Sequence, residues 1–127
     1  MAGMAKLSSY VLALVLSVGA AARSLAGEAD VVDVKVTRSG AGVYRFDVSV
    51  SHADRGWDHY ADAWEVLAPD GRVLGKRELL HPHEDEQPFT RSLSGIRVPP
   101  GITAVTIRAH DSVHGYGGAE LRVELQP

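Results

Sequence analysis

The six histidines of this sequence are its residues best suited to chemistry, and they fall in three pairs along the chain. Neutral imidazole nitrogens are preferred ligands of divalent transition metals. Neither cysteine nor methionine occurs between residues 27 and 127, so soft ligands for Cu(I) are absent there and Zn(II) or Cu(II) is the expected metal. We therefore treat all six as candidate metal ligands: His52 and His59, His81 and His83, and His110 and His114.

The elements that must position these histidines are predicted to be β-strands. Apolar and polar residues alternate, most clearly where Tyr44, Phe46, Val48 and Val50 are separated by polar residues. Val32, Val34 and Val36 alternate in the same way in the first strand. Turn residues recur about every eight to twelve residues, which is typical of an all-β sandwich. We predict an immunoglobulin- or fibronectin-III-like antiparallel β-sandwich of about seven strands, at 31–38, 44–51, 59–67, 72–80, 89–98, 102–111 and 119–125.

This topology predicts that every histidine lies at one end of the sandwich. If each strand reverses the direction of the previous one, alternate loops share an end, and the loops after the second, fourth and sixth strands hold all six histidines. Strand parity turns His59 and His110 outward as a cross-strand pair, with His114 just beyond them. His52 follows the inward parity of Val48 and Val50 and caps the core.

Alternatives remain open for the single residues. A lone surface histidine is most often a solvated side chain, and the acidic segment 84–86 is most often a solvated run. Asp62 and Asp111 share the parity of buried neighbours, so each must lie at the rim or be paired, with Arg55 or a protonated histidine as partner. Otherwise the register of the third strand is shifted by one residue.

The first 26 residues are predicted to be a signal peptide. Lys6 precedes an apolar run over 7–22, and Ser24 and Ala26 supply small residues for cleavage. The remaining domain, 27–127, holds 11 basic and 16 acidic residues, a formal charge of −5, which argues against nucleic acid as partner. Without cysteine there is no lipid attachment site, so we expect a periplasmic or secreted protein with no stable membrane anchor after cleavage.

Three functions are compatible with these features. The first is an exported protein that binds Zn(II) or Cu(II) through the histidine cluster. The second is a protein- or glycan-recognition module that uses the same loops, including Trp57 and Tyr116, and the third is a response to pH through the imidazoles. Neither G-x-S-x-G nor H-E-x-x-H occurs, so we predict a protein that is not an enzyme.

Overall fold

A computed structural model describes residues 27–126, which form two antiparallel β-sheets packed face to face. The first sheet has the strand order β1-β2-β5 and the second has the order β4-β3-β6-β7. The prediction of an all-β sandwich is confirmed, whereas its immunoglobulin- or fibronectin-III-like type stays a prediction. The strands are β1 Asp30–Gly40, β2 Val43–Ser51, β3 Ala61–Leu67, β4 Val73–Glu78, β5 Phe89–Arg97, β6 Ala104–Asp111 and β7 Leu121–Glu124.

The core lies between the two sheets and is built from the residues that alternation marks as inward. Phe46 and Val48 from β2 are fully buried, as are Trp64 from β3 and Ile107 from β6. Burying each such side chain contributes about 1.5–3 kcal/mol of transfer free energy, so this layer fixes which faces of β2, β3 and β6 turn inward. Within residues 27–126, no helix is long and apolar enough to cross a membrane.

The first strand departs from the predicted alternation at its start. A register shift between Val31 and Asp33 places an extra residue in β1 opposite β2. Val31 therefore enters the core, while Val32 is 47% exposed. Beyond the shift the alternation resumes, and Val34 and Val36 pack against the core as predicted.

A second register shift decides which side chains reach the end of the sandwich. In the antiparallel pair β3 and β6, Ala61 lies opposite Asp111 and Ala63 lies opposite His110, so Asp62 is the extra residue. Asp111 keeps its inward parity and is fully buried, whereas His110 is half-buried on the outer face. The shift turns Asp62 outward, where it contacts His110, while the unbroken alternation of β6 places the Asp111 carboxylate at the inner rim.

Candidate metal centre

Two histidines and one carboxylate converge at the end of the sandwich where β2 finishes and β3 begins. His52 directly follows β2, His59 precedes β3, and Asp111 is the last residue of β6. One ligand atom from each of the three lies within 4.8 Å of the others. Nε2 of His52 and Nε2 of His59 both contact Oδ2 of Asp111, the second at 2.7 Å. This buried His/Asp group could hold a metal ion.

The carbonyl oxygen of Gly27 completes the group. It lies 2.9 Å from Nε2 of His52 and 3.0 Å from Nε2 of His59. The cluster therefore presents two imidazole nitrogens and two acceptor oxygens, one from a carboxylate and one from the backbone. Oxygen atoms of both kinds are acceptors only, so a proton or a metal ion must lie between them and each ring.

Asp54 fixes the orientation of the His52 ring. Its Oδ1 contacts Nδ1 of His52, and both side chains are fully buried. We assign a proton on Nδ1 to this contact, which directs Nε2 of His52 toward Asp111. A carboxylate behind the imidazole is the arrangement usual for histidines that bind metals, because it fixes the tautomer and raises the basicity of the ring.

The loop after β6 holds Asp111 in place. Oδ1 of Asp111 accepts the backbone N–H groups of Val113 and His114, each at 2.6 Å. Asp111 and Gly115 also exchange two backbone hydrogen bonds of 2.9 Å, which close this turn. Gly115 has φ +74°, a conformation that glycine adopts without steric cost. The carboxylate is thus positioned before any ligand arrives.

The same contacts shift two pKa values in opposite directions. Burial opposes ionisation of Asp111, but the N–H groups of His114 and Val113, with the His59 ring, outweigh it and hold its pKa below the ordinary value. Burial also disfavours a charged His52. Hydrogen bonds to Asp54 and Gly27, and the charge of Asp111, outweigh that and raise the pKa of His52. The metal-free cluster therefore favours an imidazolium between two carboxylates.

His114 lies at the open side of the cluster. Its Nδ1 is 3.3 Å from Oδ1 of Asp111, and its ring centroid is 4.9 Å from that of His59. The side chains of His114 and His59 are 42% and 22% exposed, while those of His52 and Asp111 are fully buried. An ion or a small ligand could therefore reach the cluster from this side, and His114 is near enough to join it.

The predicted pair of His59 and His110 is wrong. His110 lies on the outer face of the sheet, where its Nδ1 is 2.5 Å from Oδ1 of Asp62 and its ring meets Tyr116 edge to face. His59 instead turns inward to Asp111, because it belongs to the loop before β3 and does not follow strand parity. An isolated bridge between Arg55 and His59 folds this loop back on itself.

His81 and His83 lie behind Asp54, apart from the cluster. Oδ2 of Asp54 accepts the backbone N–H of His83 at 2.6 Å, and the His81 and His83 ring centroids are 4.7 Å apart. The three loops therefore meet at one end, as the topology predicts, but they bring together His52, His59 and His114 without His81, His83 and His110.

Asp111 and the carbonyl of Gly27 are the two members of the group that the sequence analysis does not name as ligands. The inward parity of Asp111 indicates a buried carboxylate for which a protonated histidine is a suitable partner. Combining that parity with the histidines of the neighbouring loop would have identified the site. Gly27 carries no side-chain signal, so its carbonyl could be found only from the folded chain.

Comparisons with known proteins give one sequence relative and three structures of similar fold. No family model matches the chain. A Halomicrobium mukohataei protein named "Putative lipoprotein" is 48% identical over 99 residues, which are 78% of this chain and 48% of that protein. The chain thus spans about half the length of this curated relative.

The structures are 16–18% identical to this chain, so the likeness is one of fold. A hypothetical protein from Pyrococcus horikoshii matches with a TM-score of 0.53 over 82% of this chain and 95% of that one. A superoxide reductase (neelaredoxin) from Archaeoglobus fulgidus has a TM-score of 0.49 over 76% and 90%. A superoxide reductase from Giardia intestinalis has a TM-score of 0.45 over 76% and 99%.

These comparisons correct two predictions. We predicted a protein that is not an enzyme, yet two of the three structures of similar fold are superoxide reductases, which are enzymes. Their likeness assigns no reaction to this chain. We also predicted a periplasmic or secreted protein without a membrane anchor, and the relative at 48% identity is named a lipoprotein. The predicted signal peptide, 1–26, lies outside the described residues.

Proposed function

We propose that this protein binds one divalent transition metal ion through Nε2 of His52, Nε2 of His59 and the carboxylate of Asp111. The observation that supports this most is the convergence of these three ligand atoms within 4.8 Å in a largely buried site. The Gly27 carbonyl supplies a fourth donor. His114 lies close enough to bind when the ion is present.

The donor set limits the choice of metal. Two imidazoles and one carboxylate suit Zn(II), and the same set with open positions is also found in sites for non-haem Fe(II). Cu(II), which the sequence analysis names beside Zn(II), also binds nitrogen and oxygen ligands but prefers a more planar arrangement. We therefore propose Zn(II), Cu(II) or Fe(II) as the ion. A bound metal would act as a Lewis acid at its open side, next to His114.

Protons compete with the metal for this site. In the metal-free protein Nε2 of His52 faces two acceptor oxygens and must carry a proton, whereas a metal ligand must present a lone pair. Metal binding is therefore expected to release a proton from His52. The buried Asp54 then keeps the ring oriented through its Nδ1 side.

Metal analysis followed by calorimetric titration tests this function. Chelator-treated protein should take up one equivalent of Zn(II), Cu(II) or Fe(II). The Fe(II) titration is carried out under anaerobic conditions. Asp111→Asn should weaken binding by more than the roughly 10- to 100-fold typical of losing an outer-sphere partner. Asp62→Asn is the matched control, since Asp62 also pairs with a histidine but lies outside the group. Absence of stoichiometric binding, or equal loss in both variants, would exclude the site.

A second candidate function, recognition of a glycan or a protein, is supported by one exposed aromatic pair. Trp57 is 66% exposed in the loop before His59, and its ring meets Tyr60 edge to face at 5.6 Å. Trp64 is fully buried, so a ligand at this loop should change the fluorescence of Trp57 alone. Weaker binding by Trp57→Phe in a calorimetric titration with the same ligand would support recognition, and unchanged affinity would exclude it.

A further inference from the structure

His83 is a buried histidine that the proposed metal centre does not use. Its side chain is only 4% exposed, and neither ring nitrogen has a hydrogen-bond partner among the described residues. The nearest carboxylate oxygen, Oδ2 of Asp54, is 3.9 Å from Nδ1, which is beyond hydrogen-bond distance. Buried polar groups are normally paired, so this ring indicates a missing partner.

The ring lines a small cavity whose charged groups are basic. The cavity measures about 90 Å³ and is lined by Arg77, Leu79, Leu80, His81, His83 and Arg91. The His83 ring stacks on Phe89 with 4.0 Å between centroids and 12° between planes, which fixes its orientation. Two arginines and two histidines therefore line one cavity large enough for a water molecule or a small anion.

We propose that this cavity binds a small tetrahedral oxyanion, such as inorganic phosphate or sulfate, between the His83 ring and the guanidinium groups of Arg77 and Arg91. Planar guanidinium groups supply paired N–H donors that match such an anion. The His83 ring would supply one further N–H and gain the partner it lacks.

The charges that face His83 favour an anion over a metal ion. Burial, Arg91 and His81 lower the pKa of His83 and outweigh the opposing charges of Asp54 and Glu86. Asp54 is the buried carboxylate nearest the ring. Its oxygens are already engaged by the His52 ring and by the N–H groups of Ala61 and His83. It is therefore poorly placed to hold a metal together with His81 and His83.

One acidic side chain already forms an ion pair with an arginine that lines the cavity. Glu86 pairs with Arg91 at 3.2 Å, and its side chain is 56% exposed. Arg77 uses Nε and Nη1 to donate to the carbonyl oxygens of Ser92 and Glu78, which fixes the orientation of its guanidinium. An incoming oxyanion would compete with Glu86 for Arg91. Removal of the Glu86 charge should therefore strengthen binding.

Calorimetric titration of inorganic phosphate and sulfate into the chelator-treated full chain tests the proposal. We expect saturable binding at one site, weakened about tenfold or more by Arg91→Gln and by His83→Phe. His83→Phe keeps a planar ring against Phe89 and removes the two unpartnered nitrogens. Glu86→Gln should tighten binding severalfold. Glu84→Gln, an exposed acid of the same loop, should leave it unchanged.

Three results would overturn the proposal. The first is the absence of saturable binding at up to about 10 mM of either anion. The second is equal affinity in Arg91→Gln and the unchanged protein. The third is uptake of Zn(II) that is lost in His83→Phe but kept in Asp111→Asn, which would assign His81 and His83 to a second metal. Phosphate binding that Asp111→Asn leaves unchanged would separate this site from the proposed metal centre.

Discussion

The carboxylate of Asp54 contacts Nδ1 of His52 on the side of the ring opposite Asp111, so one imidazole lies between two buried carboxylates. Asp54 also accepts the N–H groups of Ala61 and His83, at 3.1 and 2.6 Å. It therefore connects the proposed metal centre to the start of β3 and to the loop before β5. This position makes it the residue that orients His52.

Asp54→Asn should weaken metal binding without removing a ligand. The amide can keep some of the hydrogen bonds, but it loses the charge that fixes the His52 tautomer, so we expect affinity to fall by about 10- to 100-fold. Zn(II) titration calorimetry measures this change. Asp58→Asn, at an exposed position of the same loop, is the control and should bind Zn(II) normally. Unchanged affinity in Asp54→Asn would exclude an orienting role.

Gly27→Ala should disturb the open side of the cluster. A Cβ at this position would lie 2.8 Å from Cε1 of His114, closer than real contacts allow, and Gly27 has φ +94°. We expect weaker metal binding, because the carbonyl of Gly27 or the ring of His114 must move. Gly56→Ala is the matched control: φ is +62°, and nothing lies within 4 Å of its Cβ. Both variants carry the backbone strain, so only the steric effect on the cluster distinguishes them in a Zn(II) titration.

Most of the fold follows from the sequence, because alternation along β2 marks Phe46 and Val48 as inward and turn residues separate the strands. What alternation cannot show is a register shift. The extra residue near Val32 reverses the face of that side chain, and the extra residue in β3 turns Asp62 outward, against His110. Both shifts depend on pairing with a distant strand, which local periodicity does not encode.

The sequence predicts where the candidate site lies but only some of the residues that form it. Topology alone brings the loops that carry His52, His59 and His114 to one end. The position of His59 depends on a loop that folds back through Arg55, and strand parity is therefore no guide to it. The carbonyl of Gly27 reaches the cluster through tertiary packing, which no residue type in the sequence specifies.

The metal-free protein should be most stable at mildly acidic pH. Asp111, whose folded pKa lies below the ordinary 3.8, contributes stability above that value and loses it as pH falls through the lower folded value. His52, whose folded pKa lies above the ordinary 6.5, contributes stability below 6.5 and loses it as pH rises through the folded value. Thermal unfolding with chelator, from about pH 3 to 9, measures both limbs.

Adding Zn(II) should raise the unfolding temperature most on the alkaline side, because the metal binds deprotonated rings. In the metal-free protein, Asp111→Asn should weaken the fall of the unfolding temperature at both acidic and alkaline pH. Asp62→Asn should leave this pH dependence unchanged. A chelator-treated protein whose stability keeps rising through the alkaline range would contradict the assigned protonation of His52.

Comparison of His59→Ala with His110→Ala tests the central claim most directly. Both histidines are partly exposed, and each contacts one carboxylate, but only His59 belongs to the group of three ligands. In a calorimetric titration of chelator-treated protein with Zn(II), His110→Ala should bind one equivalent with unchanged affinity. His59→Ala should lose at least about a factor of ten, equivalent to about 1.4 kcal/mol. Equal affinities in the two variants, or a loss confined to His110→Ala, would contradict the proposed metal centre.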